Sequence, residues 1–126
     1  MSVRVFLADD SAVMRKAIRL FLENRRDILL VGEADNFNEA VVKARNLRPD
    51  VVVFDVHLSE RREDVQWNSI FGDAKLLGIT FGIDDESKAL AEHIGAEKVI
   101  DKINLTEQLI PAILELPLVA QPPQLT

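Results

Sequence analysis

The chain has 126 residues, a length suited to one domain, and 48% of them are hydrophobic, enough for a sizeable buried core. No apolar run nears the roughly 18 residues needed to span a bilayer, the start "MSVRVFLADD" turns acidic without a signal-peptide pattern, and the lack of cysteine excludes disulfides and thiolate metal sites. A net charge of −6 argues against direct nucleic-acid binding, because phosphate contacts need clustered Lys and Arg; the expectation is a cytoplasmic protein with no membrane association.

In chain order, "VRVFLA" (Val3–Ala8) reads as a strand leading into a helix over Ser11–Asn24, whose apolar positions Val13, Ala17, Leu20, Phe21 and Met14, Ile18, Leu22 recur at three and four. "ILLVGEA" (Ile28–Ala34) is a second strand, after which Asp35 or Asn36 caps a helix carrying Phe37, Ala40, Val41, Ala44 and Leu47. Arg48 precedes Pro49 and is biased out of the helical region, which ends that helix. "VVVFDV" (Val51–Val56) is apolar at nearly every position, as a central strand covered on both faces should be. A short helix is expected near Glu63–Phe71, ended by Gly72-Asp73. Lys75–Thr80 is the fourth strand, "DDESKALAEHIGA" a capped helix stopped by Gly95, and Glu97–Asp101 the fifth strand. A last helix starts at Asn104 or Thr106, bears Leu105, Leu109, Ile110, Ile113 and Leu114, and is expected to kink at Pro111 unless it starts late. The domain is placed at residues 1–116, with 117–126 as a C-terminal tail or the start of a linker.

Strands alternating with helices give an α/β fold with a parallel sheet, and in such sheets ligands sit outside the carboxyl ends of the strands. Those ends carry Asp9, Asp10, Asp55, Thr80 and Lys102. Two carboxylates about 4 Å apart repel by roughly 4 kcal/mol at an effective dielectric near 20. A proton or a cation must relieve that repulsion. Oxygen-only ligands favour a hard ion, and Mg²⁺ fits best. A carboxylate-held Mg²⁺ beside a lysine and a hydroxyl suggests phosphoryl transfer, in which charge spreads over three oxygens that positive groups must neutralise. Asp55 is then the nucleophile, forming an acyl phosphate, with Lys102 and Thr80 serving the other oxygens. Each residue alone has an ordinary structural reading: an acid caps a helix, a threonine satisfies backbone, a lysine is solvated. His57 and His93 read as surface or packing residues, and Trp67 and Phe71 as core. The five strand-end residues together are far more specific than any one of them.

"VRVFLADDSAVMRKAIRLFLE" and "VGEADNFNEAVVKARNLRPDVVVFDV" resemble the receiver domains of two-component response regulators, of the kind found ahead of helix-turn-helix output domains. The resemblance covers residues 3–116, closely in the first half and patchily in the second. It implies a flavodoxin-like sheet in the order 2-1-3-4-5 with helices on both faces. It implies Asp9, Asp10 and Asp55 as Mg²⁺ ligands with the backbone carbonyl of His57, Asp55 as phosphoacceptor, and Thr80 and Lys102 as its partners. It implies a histidine kinase or phosphotransfer protein as donor, a surface of the fourth helix, fifth strand and fifth helix that switches output or pairs two copies, and no enzyme activity beyond self-catalysed transfer to Asp55. Several positions depart from the family's pattern: Ser59 where proline is usual, the charged run "ERRED", Phe81 after the hydroxyl, Val99 for the switch aromatic, and Ile103 for the proline after the lysine. A cis bond before Ile103 would cost roughly 3 kcal/mol, so that bond is expected to be trans. The departures motivate an alternative, a receiver-like interaction module not switched by phosphate. An independent Mg²⁺-dependent phosphohydrolase is a third, weaker reading, since no second acid follows Asp55 at a two-residue spacing.

Overall fold

All five residues of β3 (Val51–Asp55) are buried, which makes this strand the centre of the molecule. The computed structural model describes residues 2–58 and 67–118. It pairs β3 in parallel with β1 (Val3–Ala8) on one side and β4 (Lys75–Thr80) on the other, with β2 (Ile28–Ala34) and β5 (Lys98–Asp101) at the edges. The order β2-β1-β3-β4-β5 is the flavodoxin-like one expected from the sequence. Both central strands lack polar alternation because helices cover both faces. Val5, Leu7, Val51, Val53, Leu77, Ile79 and Ile100 pack against α1 (Ala12–Leu22) and α5 (Leu105–Glu115). Phe6, Ala8, Val52, Phe54 and Leu76 pack on the opposite face with residues of α2 (Phe37–Leu47), α3 (Trp67–Ile70) and α4 (Asp85–Ile94).

The helix ends follow capping chemistry. Ser11 caps α1 from outside rather than opening it, its hydroxyl accepting from the Met14 N–H. The helix stops at Leu22 instead of Asn24, because Glu23 through Arg26 offer the sheet nothing apolar. Asn36, not Asp35, caps α2, and Arg48 leaves it in the left-handed region at φ 48°. Asp84 caps α4, and Gly95 ends it at φ 96°. β3 is one residue shorter than expected, since Val56 already turns while its N–H still bonds the Ile79 carbonyl at 3.0 Å. β5 starts at Lys98 rather than Glu97. A 3₁₀ turn, Lys102–Asn104, precedes α5, which continues through Pro111 on its exposed side. Of the expected third helix only Trp67–Ile70 is helical among the described residues; Glu63–Gln66 lie outside them, as does 119–126 of the expected tail.

One irregularity bears on the site. The β1–β2 register slips between Val5↔Leu30 and Phe6↔Gly32, a bulge that gives β2 one extra residue. Side chains alternate faces along a strand, so the extra residue reverses the facing of everything after it. Glu33, opposite Leu7, thereby falls on the α1 side of the sheet. Gly32 falls on the other side, where a Cβ would come within 2.6 Å of the Leu47 side chain.

Candidate functional site

β1 and β3 are adjacent, so their carboxyl ends deliver Asp9 and Asp55 to one place. Carboxylate oxygens of Asp9, Asp10 and Asp55 lie within 4.8 Å of one another. Lys102, just past β5, reaches back over the sheet edge: its amine is 2.9 Å from Asp9 Oδ2 and 3.1 Å from Asp55 Oδ2. Its side chain is only 5% exposed, so the ammonium is held by these acids rather than by water. Asp9 is fully buried, Asp55 nearly so, and Asp10 faces solvent.

Each carboxylate is oriented by the turn that follows it. Asp9 Oδ1 accepts from the Ser11 N–H at 2.8 Å, and Asp55 Oδ1 accepts from the His57 N–H at 2.8 Å. Burial pushes the Asp9 carboxyl above the usual carboxylate range and the Asp55 charge adds to that, although contact with Lys102 and the Ser11 N–H act against it. Burial works against the Lys102 charge, yet the contact with Asp9 and the charges of both acids outweigh it and hold the amine above its ordinary value. Asp9 Oδ2 has no donor aligned on it as a hydrogen bond; the Lys102 ammonium is close enough to pair with it but does not satisfy it. A buried, under-satisfied carboxylate oxygen beside two further acids is a donor set that fits a hard divalent cation.

Of the expected residues, Asp9, Asp55 and Lys102 are in direct contact and Asp10 stands beside them. Thr80 and the His57 backbone are brought to the same edge: Thr80, 2% exposed, ends β4 one residue beyond the partner of Asp55, and His57 lies two residues past Asp55. The rim is apolar. Phe81 is 67% exposed and its ring centroid is 5.1 Å from the Lys102 amine, while Ile103, next to Lys102, also faces solvent. The described residues contain no cis peptide bond, so the Lys102–Ile103 bond is trans as expected.

Trp67 lies in the core, with ring centroids 4.8 Å from Phe37, 4.7 Å from Phe54 and 5.7 Å from Phe71. Two contacts escaped sequence reasoning. The His57 ring reaches Ser87 Oγ on α4 at 3.4 Å, joining the loop after β3 to that helix. Arg15 donates to the Asp9 backbone carbonyl. Its position, one turn after the Ser11 cap, was the available signal, because helical side chains tilt back toward the N-terminus.

The sequence matches the response regulator receiver domain family over residues 5–114. The chain belongs to that family. The response regulator domain of Thermotoga maritima CheB superposes with a TM-score of 0.82 at 22% identity, covering 96% of this chain and all of that one. The signal receiver domain of a putative response regulator NarL from Mycobacterium tuberculosis gives 0.84 at 22% identity, covering 94% and 98%. Among curated relatives, protein-glutamate methylesterase/protein-glutamine glutaminase 1 of Methanosarcina acetivorans is 52% identical over 56 residues, 44% of this chain and 16% of that protein. The corresponding protein 3 of Syntrophomonas wolfei is 44% identical over 59 residues, 47% and 17%. The chain thus matches about a sixth of the length of these relatives. Their names correct one expectation: this receiver's relatives are enzymes, so setting the chain apart from any enzyme was wrong. The residues read from the sequence all lie in the receiver stretch. Receiver domains bind Mg²⁺ in an acidic pocket and interact with histidine kinases or phosphotransfer proteins. Among the described residues no helix is long and apolar enough to cross a membrane.

Proposed function

We propose that Asp55 accepts a phosphoryl group from the phosphohistidine of a histidine kinase or phosphotransfer protein. The observation that supports this best is the Lys102 ammonium lodged between Asp9 and Asp55, 2.9 and 3.1 Å away, at the edge where β1 and β3 end. Asp9, Asp10, Asp55 and the His57 carbonyl would hold Mg²⁺, which when bound supplies neutralising charge to the phosphoryl oxygens. An Asp55 carboxylate oxygen attacks phosphorus, the P–N bond of the donor breaks, and the donor imidazole leaves with its electron pair and takes up a proton. Lys102 turns its ammonium from the acids toward a phosphoryl oxygen, and the Thr80 hydroxyl serves another. Drawing Thr80 inward shifts the surface of α4, β5 and α5, and two copies of the chain pair through that face. Residues 1–116 form the switching domain and the segment from 117 leads onward to an output. That output is of the kind the relatives' name describes, a protein-glutamate methylesterase/protein-glutamine glutaminase.

The test is mass spectrometry of the intact chain after incubation with Mg²⁺ and a small phosphodonor. One phosphoryl adduct is expected, lost in Asp55→Asn and in chelator. A folded, Mg²⁺-binding chain that stays unmodified would contradict the reading. The ring of Phe81 over Lys102 favours the second reading, a module not switched by phosphate, since it gives the amine a partner where a phosphoryl group would come. Partner binding indifferent to Asp55→Asn would support that one.

A further inference from the structure

The acid pair sits on a turn of three residues, and that turn is braced from outside the pocket. The Asp9 N–H donates to the Ala34 carbonyl at 3.1 Å, and its carboxylate accepts from the Ser11 N–H at 2.8 Å. The remaining polar group of Asp9, its backbone carbonyl, accepts from the Arg15 guanidinium. That carbonyl belongs to the peptide joining Asp9 to Asp10, so the contact fixes the plane from which the second acid departs.

Arg15 is itself held. Its Nε lies 3.8 Å from Glu33 Oε1, and its side chain is 19% exposed. Glu33 is gripped in turn by Arg19, whose Nε and a terminal nitrogen donate to the two carboxylate oxygens at 2.7 and 3.1 Å. A bidentate pair of this kind locks a carboxylate in one orientation. Glu33 reaches α1 only because the bulge in β2 turns it to that side of the sheet. The bulge, the Arg19 fork and Arg15 form one strut running from the edge strand to the Asp9–Asp10 peptide.

We propose that Arg15 is a positioning residue for the acidic pair and that Glu33 sets its aim. Arg15 touches neither a carboxylate of the pocket nor a phosphoryl group; it acts through the backbone that carries them. The consequence for Mg²⁺ affinity rests on the proposed function, whereas the consequence for the turn does not.

The experiment compares the intact chain with Arg15→Met, Arg15→Lys and Glu33→Gln. Amide hydrogen exchange at Ser11 and Asp10 is measured without metal, and Mg²⁺ alone is titrated by calorimetry. Arg15→Met is expected to speed exchange at these two amides while those of β3 stay protected, and to weaken Mg²⁺ binding about tenfold, the usual effect of losing a group that orients a metal ligand. Arg15→Lys should restore much of both, since an ammonium still donates to the carbonyl, and Glu33→Gln should fall between. A general loss of structure would instead raise exchange in β3 as well. Unchanged exchange at Ser11 in a folded Arg15→Met chain overturns the strut, as does a loss that Arg15→Lys does not repair. Faster exchange in a chain whose wild type ignores Mg²⁺ leaves the strut standing and removes the metal reading.

Discussion

The floor and the rim of the acidic pocket are built by different physics. The floor is Asp9, Asp55 and Lys102, buried and in contact through the Lys102 amine; Asp55 ends β3, while Asp9 and Lys102 directly follow β1 and β5, strands held by the core on both sides of the sheet. The rim is Phe81, over the Lys102 amine, and Ile103, the residue after Lys102, both apolar and exposed. The floor side chains are buried at or just past strand ends and held by one another, while those of the rim are exposed and make little packing. Of the departures among the described residues, Phe81 and Ile103 are exposed, while Val99, on β5, packs against the core.

Two phenylalanines put this difference in numbers. Phe54, fully buried, directly precedes Asp55 and packs on Trp67. Phe54→Ala should cost on the order of 4 kcal/mol, read by urea unfolding, because it opens a cavity beneath the floor. Lys102→Met comes next. It leaves the buried Asp9 carboxylate without its cation and should cost on the order of 3 kcal/mol at neutral pH. The loss should shrink on acidification as Asp9 takes up a proton instead. Phe81→Ala, on the rim, should change stability by no more than about 0.5 kcal/mol. A large effect at Phe81 or a small one at Phe54 would break the division.

Proton linkage sharpens it further. The folded chain binds a proton at Asp9 more readily than the unfolded chain does, since burial raises that carboxyl above its ordinary 3.8. Stability therefore falls as pH rises from that value through the raised one, opposite to an ordinary paired carboxylate. Lys102 contributes in full below its ordinary 10.5 and loses its contribution only as pH climbs past that value. Mg²⁺ held by these acids would offset the cost of their charge and compete with the Asp9 proton. Its stabilising shift in Tm should be clear near neutral pH and nearly vanish below the Asp9 titration. A shift that is largest in acid would contradict the assignment of Asp9 as a ligand.

The floor was legible in the sequence because strand ends are legible. β1, β2 and β4 have the bounds read from their apolar runs, and a parallel sheet dictates that ligands gather at the carboxyl ends. Contacts that cross the sheet edge were not legible. Neither the bulge that turns Glu33 toward α1 nor the reach of Arg15 back to the Asp9 carbonyl leaves a periodic trace. Of the expected third helix, only Trp67–Ile70 is helical among the described residues, and the rest of that expectation before Trp67 lies outside them. The activity named for the relatives was invisible for a different reason: the chain aligns with only about a sixth of their length.

The central claim is that Asp9, Asp10 and Asp55 act as one cation site, and NMR of the side-chain carboxyl carbons tests it most directly. As Mg²⁺ is added, the three carboxyl signals should shift together along one saturable curve, the His57 backbone carbonyl with them, while the signal of Asp73, at the opposite, amino end of the strands just before β4, stays still. Signals that move independently, or not at all in a folded sample, would contradict it.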